Sequence, residues 1–151
     1  MLIIGTIIFF LIDLFSKYLI TKLIIFGESI TIINNFLNIT YVKNTGAALS
    51  ILNNNTLIVK IISLLIIIAL IIYMYNNKNS SSKFERLGYS LVLGGALGNL
   101  FDRLVYGYVI DFIDIYIFNY DYPIFNLADT FIVIGVIILF ISMWGDKKDG
   151  I

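Results

Sequence analysis

"LGYSLVLGGALGNLFDRLVY", residues 87–106, is long and apolar enough to cross a bilayer, yet it carries Asn99, Asp102 and Arg103 near one end and Gly94, Gly95 and Gly98 at its middle. Whether it lies in a soluble core or in a membrane decides the fold, and composition answers. The 151 residues are 60% hydrophobic, with a mean hydropathy of +0.96. Soluble domains use roughly 45–50% apolar residues, and a soluble surface has no place for so much Ile, Leu and Phe. The stretch reads as a membrane span, in a chain that is a single integral membrane domain over residues 1–151.

Working outward, three further stretches reach the roughly 20 apolar residues that a bilayer core about 30 Å thick demands. They are residues 2–24, interrupted by Asp13, Ser16 and Lys17; residues 57–75, nearly pure Ile and Leu; and residues 124–144, which open with "IFNLADTFIVIG". The first lacks the basic flank and small-residue cleavage site of a removable signal peptide, so it is expected to remain as a helix. The fold class expected is an all-α membrane protein of four transmembrane helices. Residues 28–44, "ESITIINNFLNITYVKN", mix β-branched and aromatic residues with a turn-prone Asn34–Asn35, and read as a small strand-like segment outside the bilayer. Within it, Asn38-Ile39-Thr40 fits a glycosylation acceptor, a match that chance explains in a chain so rich in Asn.

Basic residues set the orientation. Lys78, Lys83 and Arg86 cluster in the loop before residue 87, and Lys147 and Lys148 lie in the tail, whereas nothing basic follows Arg103 before the fourth span. The 76–86 loop and both termini are therefore expected in the cytoplasm, although Lys22, Lys43 and Lys60 on the other side weaken the bias. The chain has no Cys and no His, and its formal charge is zero. Disulfides, thiolate or imidazole metal sites, Cys nucleophiles and Ser–His–Asp triads are excluded, and no basic run is long enough to follow a nucleic acid.

Charges inside a bilayer cost several kcal/mol, about 2.5–3.5 by insertion scales, so each needs a partner or a purpose. Asp13 and Lys17, four apart, share a helical face and can pair. Asn99, Asp102 and Arg103 share another, and Arg103 can grip a carboxylate, that of Asp102 or a more distant one, through two parallel hydrogen bonds. Gly94 and Gly98 form a small-xxx-small pair that admits a neighbouring helix, whether of this chain or of a substrate. Asp111 emerges just beyond the third span and Asp129 lies about one turn inside the fourth, on the same side of the membrane. The excursion between them returns the chain to where it left, so the two carboxylates can meet, with Asn126 on the face of Asp129. Asp114 and Asp121 read as solvated acids of the excursion, whose substitution by Asn should be tolerated. Two close carboxylates share a proton. One then takes a proton from water while the other donates to a carbonyl, which is the chemistry of aspartic proteases. Two interfacial acids that merely face water remain the simpler alternative.

Five blocks in order resemble the bacterial lipoprotein signal peptidases (signal peptidase II): "DLFSK" at 13–17, "NTGAALS" at 44–50, "GGALGNLFDR" at 94–103, "VIDF" at 109–112 and "FNLAD" at 125–129. Leu14 and Leu49 are mild departures, standing where that family commonly has Gln and Phe. The resemblance implies that Asp111 and Asp129 are a catalytic dyad. Asn44, Gly46, Asn99, Asp102, Arg103 and Asn126 would bind substrate or support the dyad, and Asp13 and Lys17 would be structural. It further implies no metal or cofactor, and a small extracytoplasmic β-cradle formed by the strand-like segment. The substrate would be a prolipoprotein bearing a diacylglyceryl cysteine, cut just before that cysteine at the outer face of the bacterial cytoplasmic membrane, with membrane lipid as the other partner and no nucleic acid. Two rivals remain. A presenilin-like protease would show Y-D and G-x-G-D motifs within its helices, and the spans have none. A proton-coupled transporter using Asp13, Lys17, Asp102 and Arg103 as a relay would be favoured by inverted repeats, and none is found.

Overall fold

The computed structural model describes residues 2–46, 56–77, 81–118 and 120–146. It contains four long helices, α1 (Leu2–Leu23), α2 (Thr56–Asn76), α3 (Lys83–Val105) and α4 (Leu127–Asp146), and four strands, β1 (Ser29–Ile33), β2 (Leu37–Asn44), β3 (Val109–Ile117) and the two-residue β4 (Tyr120–Asp121). α1 and α2 are each long and apolar enough to cross a membrane, and α4 holds a shorter apolar stretch, Leu127–Ser142. α1 is built inside out. Its buried residues are Thr6, Asp13 and Lys17, while Ile3, Ile4, Ile7, Leu11 and Phe15 are exposed. A helix that turns its polar residues inward and its aliphatic ones outward is suited to lipid, not to water.

α3 is the axis of the bundle and packs against α4, α1 and α2. Its glycines permit this. A methyl group at Gly94 would meet Phe9 Cβ of α1 at 2.7 Å, one at Gly98 would collide with the Asp13 carboxylate, and one at Gly95 with the Ala128 carbonyl of α4. The small-residue stripe is thus occupied by the chain's own helices at these positions. α3 also starts earlier than the apolar pattern indicates, because Ser82 and Glu85 form a capping box: Glu85 N–H donates to Ser82 Oγ (3.1 Å) and Ser82 N–H to Glu85 Oε2 (2.7 Å). Polar capping residues carry no hydropathy signal. The helix stops where Gly107 takes a positive φ of 83°.

The sheet has strand order β1-β2-β3-β4, with antiparallel neighbours. The Asn34–Asn35 turn forms as expected, Asn35 adopting φ 57°. The excursion after α3 is a correction to the four-helix picture: residues 109–117 are a strand, paired along β2. "VIDFIDIYI" is rich in β-branched and aromatic residues and suits a half-buried strand, a signal masked by the apolarity of the whole chain. Between the pairs Ile39↔Ile113 and Val42↔Asp111 the register shifts by one residue, so a bulge in β2 re-aims the residues that follow it. The segment before α4 docks on β3: Phe125 O accepts from Phe112 N–H (3.0 Å) and Ile113 N–H (2.7 Å). That contact brings Asn126 beside Asp111.

Candidate active site

α4 begins with a reciprocal cap. Asn126 Oδ1 accepts the Asp129 N–H (3.0 Å), and Asp129 Oδ2 accepts the Asn126 N–H (3.2 Å). Asn126 therefore stands just ahead of the helix, not on its face, and Asp129 is in its first turn, where the helix dipole favours negative charge. Because its oxygen is committed to a backbone donor, the Asn126 amide nitrogen must point the other way. It donates to Asp111 Oδ1 (2.6 Å), and also lies 3.1 Å from Asn99 Oδ1 and 3.3 Å from Ile110 O. Fully buried, Asn126 joins the two aspartates.

The remaining amides are oriented by the same logic. Asn44 Oδ1 accepts from the Gly46 N–H (3.0 Å), so its nitrogen faces Asp111 Oδ2 (2.8 Å). Asn99 Oδ1 accepts from the Lys17 ammonium (3.0 Å), so its nitrogen faces Asp129 Oδ1 (2.8 Å). An ammonium and a backbone N–H can only donate, so each takes the amide oxygen and turns the amide nitrogen toward the carboxyl group. Asp111 is buried and its carboxyl is pushed up to about 7, by burial first; the Asn44 hydrogen bond opposes this, the Asp129 charge adds to it, and Asn126 and Lys17 oppose it.

Behind Asn99 lies a second cluster. Lys17, 1% exposed, forms ion pairs with Asp13 Oδ2 (2.7 Å) and Asp102 Oδ2 (3.0 Å) and donates a hydrogen bond to Asn99. The i,i+4 pair of α1 forms as the spacing predicts, but the partner of Asp102 is Lys17 rather than Arg103. Consecutive residues on a helix project about 100° apart, so Asp102 faces the bundle and Arg103 its rim. Among the described residues Arg103 makes no ion pair; it donates to Asn99 O (3.3 Å), and the charges acting on it are those of Asp129, Asp111 and Asp102. A cavity of about 420 Å³, lined in part by Lys17, Tyr18, Tyr41, Asp102 and Tyr108, borders this cluster but not Asp111 or Asp129.

Sequence reasoning missed Asp114. It is buried, accepting from Thr40 Oγ1 (2.6 Å) and more weakly from Tyr116 (3.4 Å), so it is a tie between β2 and β3 and not a solvated loop acid. Its clue was the strand pattern around it. Of the 44–50 block, Ala47 to Ser50 lie outside the described residues.

Residues 5–145 match the family described as signal peptidase (SPase) II. The chain belongs to that family. It is 48% identical to a lipoprotein signal peptidase of Staphylococcus epidermidis over 141 residues, 93% of this chain and 87% of the relative. The lipoprotein signal peptidase of Haemophilus ducreyi is 41% identical over 139 residues, 90% of this chain and 86% of that one. A bacterial membrane enzyme solved by the in meso method at 2.3 Å resolution superposes with a TM-score of 0.87 at 39% identity, covering 99% of this chain and 91% of its own. Membership in this peptidase family makes the protein a membrane hydrolase, and gives its cluster of aspartates and asparagines a chemical context.

Proposed function

We propose that this family member is an aspartic endopeptidase that removes the signal peptide from prolipoproteins, cutting just before a diacylglyceryl cysteine. The observation that carries the reading is the shared amide of Asn126, which joins Asp111 on β3 to Asp129 on α4. Asp129, with two N–H donors on its oxygens at the start of α4, is the general base. Asp111, pushed up to about 7, keeps its proton in part at neutral pH and is the general acid. Asp129 takes a proton from water as the water oxygen bonds to the scissile carbonyl carbon, and Asp111 gives its proton to the carbonyl oxygen, forming a gem-diol. Asp129 then protonates the leaving nitrogen. Asp111 recovers a diol proton as the carbonyl reforms and the C–N bond breaks. Asn44 and Asn126 hold Asp111, Asn99 holds Asp129, Gly46 fixes Asn44, and Arg103 offers donors to the substrate backbone at the rim.

All four helices cross the bacterial cytoplasmic membrane, with both termini inside and the sheet outside as a cradle for the substrate. The exposed aliphatic faces of α1, α2 and α4 and the cationic residues before α3 and after α4 support this topology. A substrate that is part helix and part lipid would then approach laterally, with its scissile bond at the outer surface beside Asp111. The test is cleavage of a synthetic prolipoprotein, with and without the diacylglyceryl group, by enzyme reconstituted in lipid. Cleavage of the lipidated form alone, abolished by Asp111→Asn and by Asp129→Asn in folded protein, is expected. Substantial residual cleavage by either variant would sink the dyad.

A further inference from the structure

The buried cluster behind Asn99 has a property that pairing alone does not require. Asp13 Oδ1 accepts the backbone N–H of Ala128 (2.9 Å), and Asp102 Oδ2 accepts the backbone N–H of Ile110 (3.2 Å). Ala128 immediately precedes Asp129, and Ile110 immediately precedes Asp111. Each carboxylate thus holds the residue next to one member of the dyad, and Lys17 holds both carboxylates. It also donates to Asn99, which donates to Asp129.

We propose that Asp13, Lys17 and Asp102 form a clamp that sets the separation of Asp111 and Asp129, with Lys17 as the positioning residue at its centre. The inference rests on the aspartic-dyad reading above. A buried lysine in contact with two carboxylates holds them at ion-pair distance from one nitrogen, and each carboxylate passes that spacing to a backbone atom. The elements so joined, α4 and β3, come from opposite ends of the excursion and are linked otherwise by Asn126 and the Phe125 contact to β3. Removing one of the two charged partners of a buried pair is costly, which is why the cluster is tested by isosteric changes.

Asp13→Asn is the incisive variant. A carboxylate offers two acceptor oxygens and an amide only one, so Asn at this position can hold Lys17 or the Ala128 N–H but not both. Lys17 and Asp102 remain a balanced pair. Kinetics of lipidated prolipoprotein cleavage would be followed across pH in reconstituted enzyme, together with thermal unfolding. Other charges facing the dyad are Lys17 from α1 and Arg103 and Asp102 from α3, and these are unchanged. A loosened clamp lets the carboxylates part and weakens their coupling. The two limbs of the pH profile should then draw together while kcat falls about 10-fold or more and KM stays within about twofold.

A folded Asp13→Asn enzyme with unaltered kcat and limbs would overturn the clamp. So would a parallel shift of both limbs, which is the signature of lost charge without lost geometry. Should Asp13→Asn fail to fold, Asp102→Leu, close in shape but with no acceptor, releases Ile110 while Asp13 still pairs with Lys17, and failure of both to fold would make the cluster a folding element only. Asp111→Asn, assayed alongside, separates the two claims: if it still cleaves, the dyad reading falls irrespective of the clamp.

Discussion

Asp111 couples protonation to stability. Its carboxyl, raised to about 7 from an ordinary 3.8, chiefly by burial, binds its proton more tightly in the folded protein than in the unfolded chain. The folded state therefore holds more protons between about pH 4 and 7, and this group's contribution to stability declines as pH rises through that window and levels off above it. Each tenfold gain in proton affinity on folding is equivalent to about 1.4 kcal/mol. Asp111→Asn removes the ionisation, so its melting temperature in detergent, relative to the unaltered protein, should be higher at pH 8 than at pH 5. An identical offset at both values would deny the raised carboxyl. Asp114 ties β2 to β3. Asp114→Ala leaves the Thr40 hydroxyl without its carboxylate partner and should cost about 1–3 kcal/mol, read as a lowered melting temperature. No loss would return Asp114 to the solvated acid that its place between two apolar spans first indicated.

At the scale of elements, the contacts of α3 leave no room for a side chain at several glycines. A Cβ at Gly95 would collide with the Ala128 carbonyl and meet Ile132 Cγ1 at 3.0 Å, both on α4. The carbonyl belongs to the helix backbone beside Asp129 and cannot turn aside as a side chain could. Gly95→Ala should therefore push α4 away, destabilising the bundle by about 1–3 kcal/mol and lowering activity more than stability, because the displaced turn carries Asp129. Thermal unfolding and cleavage rate together check this; equal proportional losses would mean simple unfolding. The long helices were legible in the sequence, since four apolar runs correspond to four helices within a few residues at most ends. β3 was not, because hydropathy cannot separate a buried strand from a short membrane-edge loop, and only the pairing with β2 distinguishes them.

For the whole molecule, the orientation inferred from Lys78, Lys83, Arg86, Lys147 and Lys148 is open to direct test, because the chain has no native cysteine. Thr31→Cys in β1 should react with a membrane-impermeant thiol reagent applied outside intact spheroplasts, and Ser80→Cys, between α2 and α3 in the sequence, only after the membrane is opened. The reverse pattern would invert the topology. By itself, the sequence determined that the chain is apolar enough for a membrane, where its helices run, that neither Cys nor His takes part in its chemistry, and that Asp13 and Lys17 share a face on which they can pair. Those conclusions depend on composition and on spacings of three or four residues, which local geometry fixes. Only the tertiary structure decided that Lys17 takes Asp102 from Arg103, that Asn126 joins Asp111 to Asp129, and that Asp114 is buried. Partners 85 residues apart, such as Lys17 and Asp102, have no common helical face to reveal them; they meet because glycines let α1 and α4 close on α3, and burial away from water then makes each polar group find its partners within the protein.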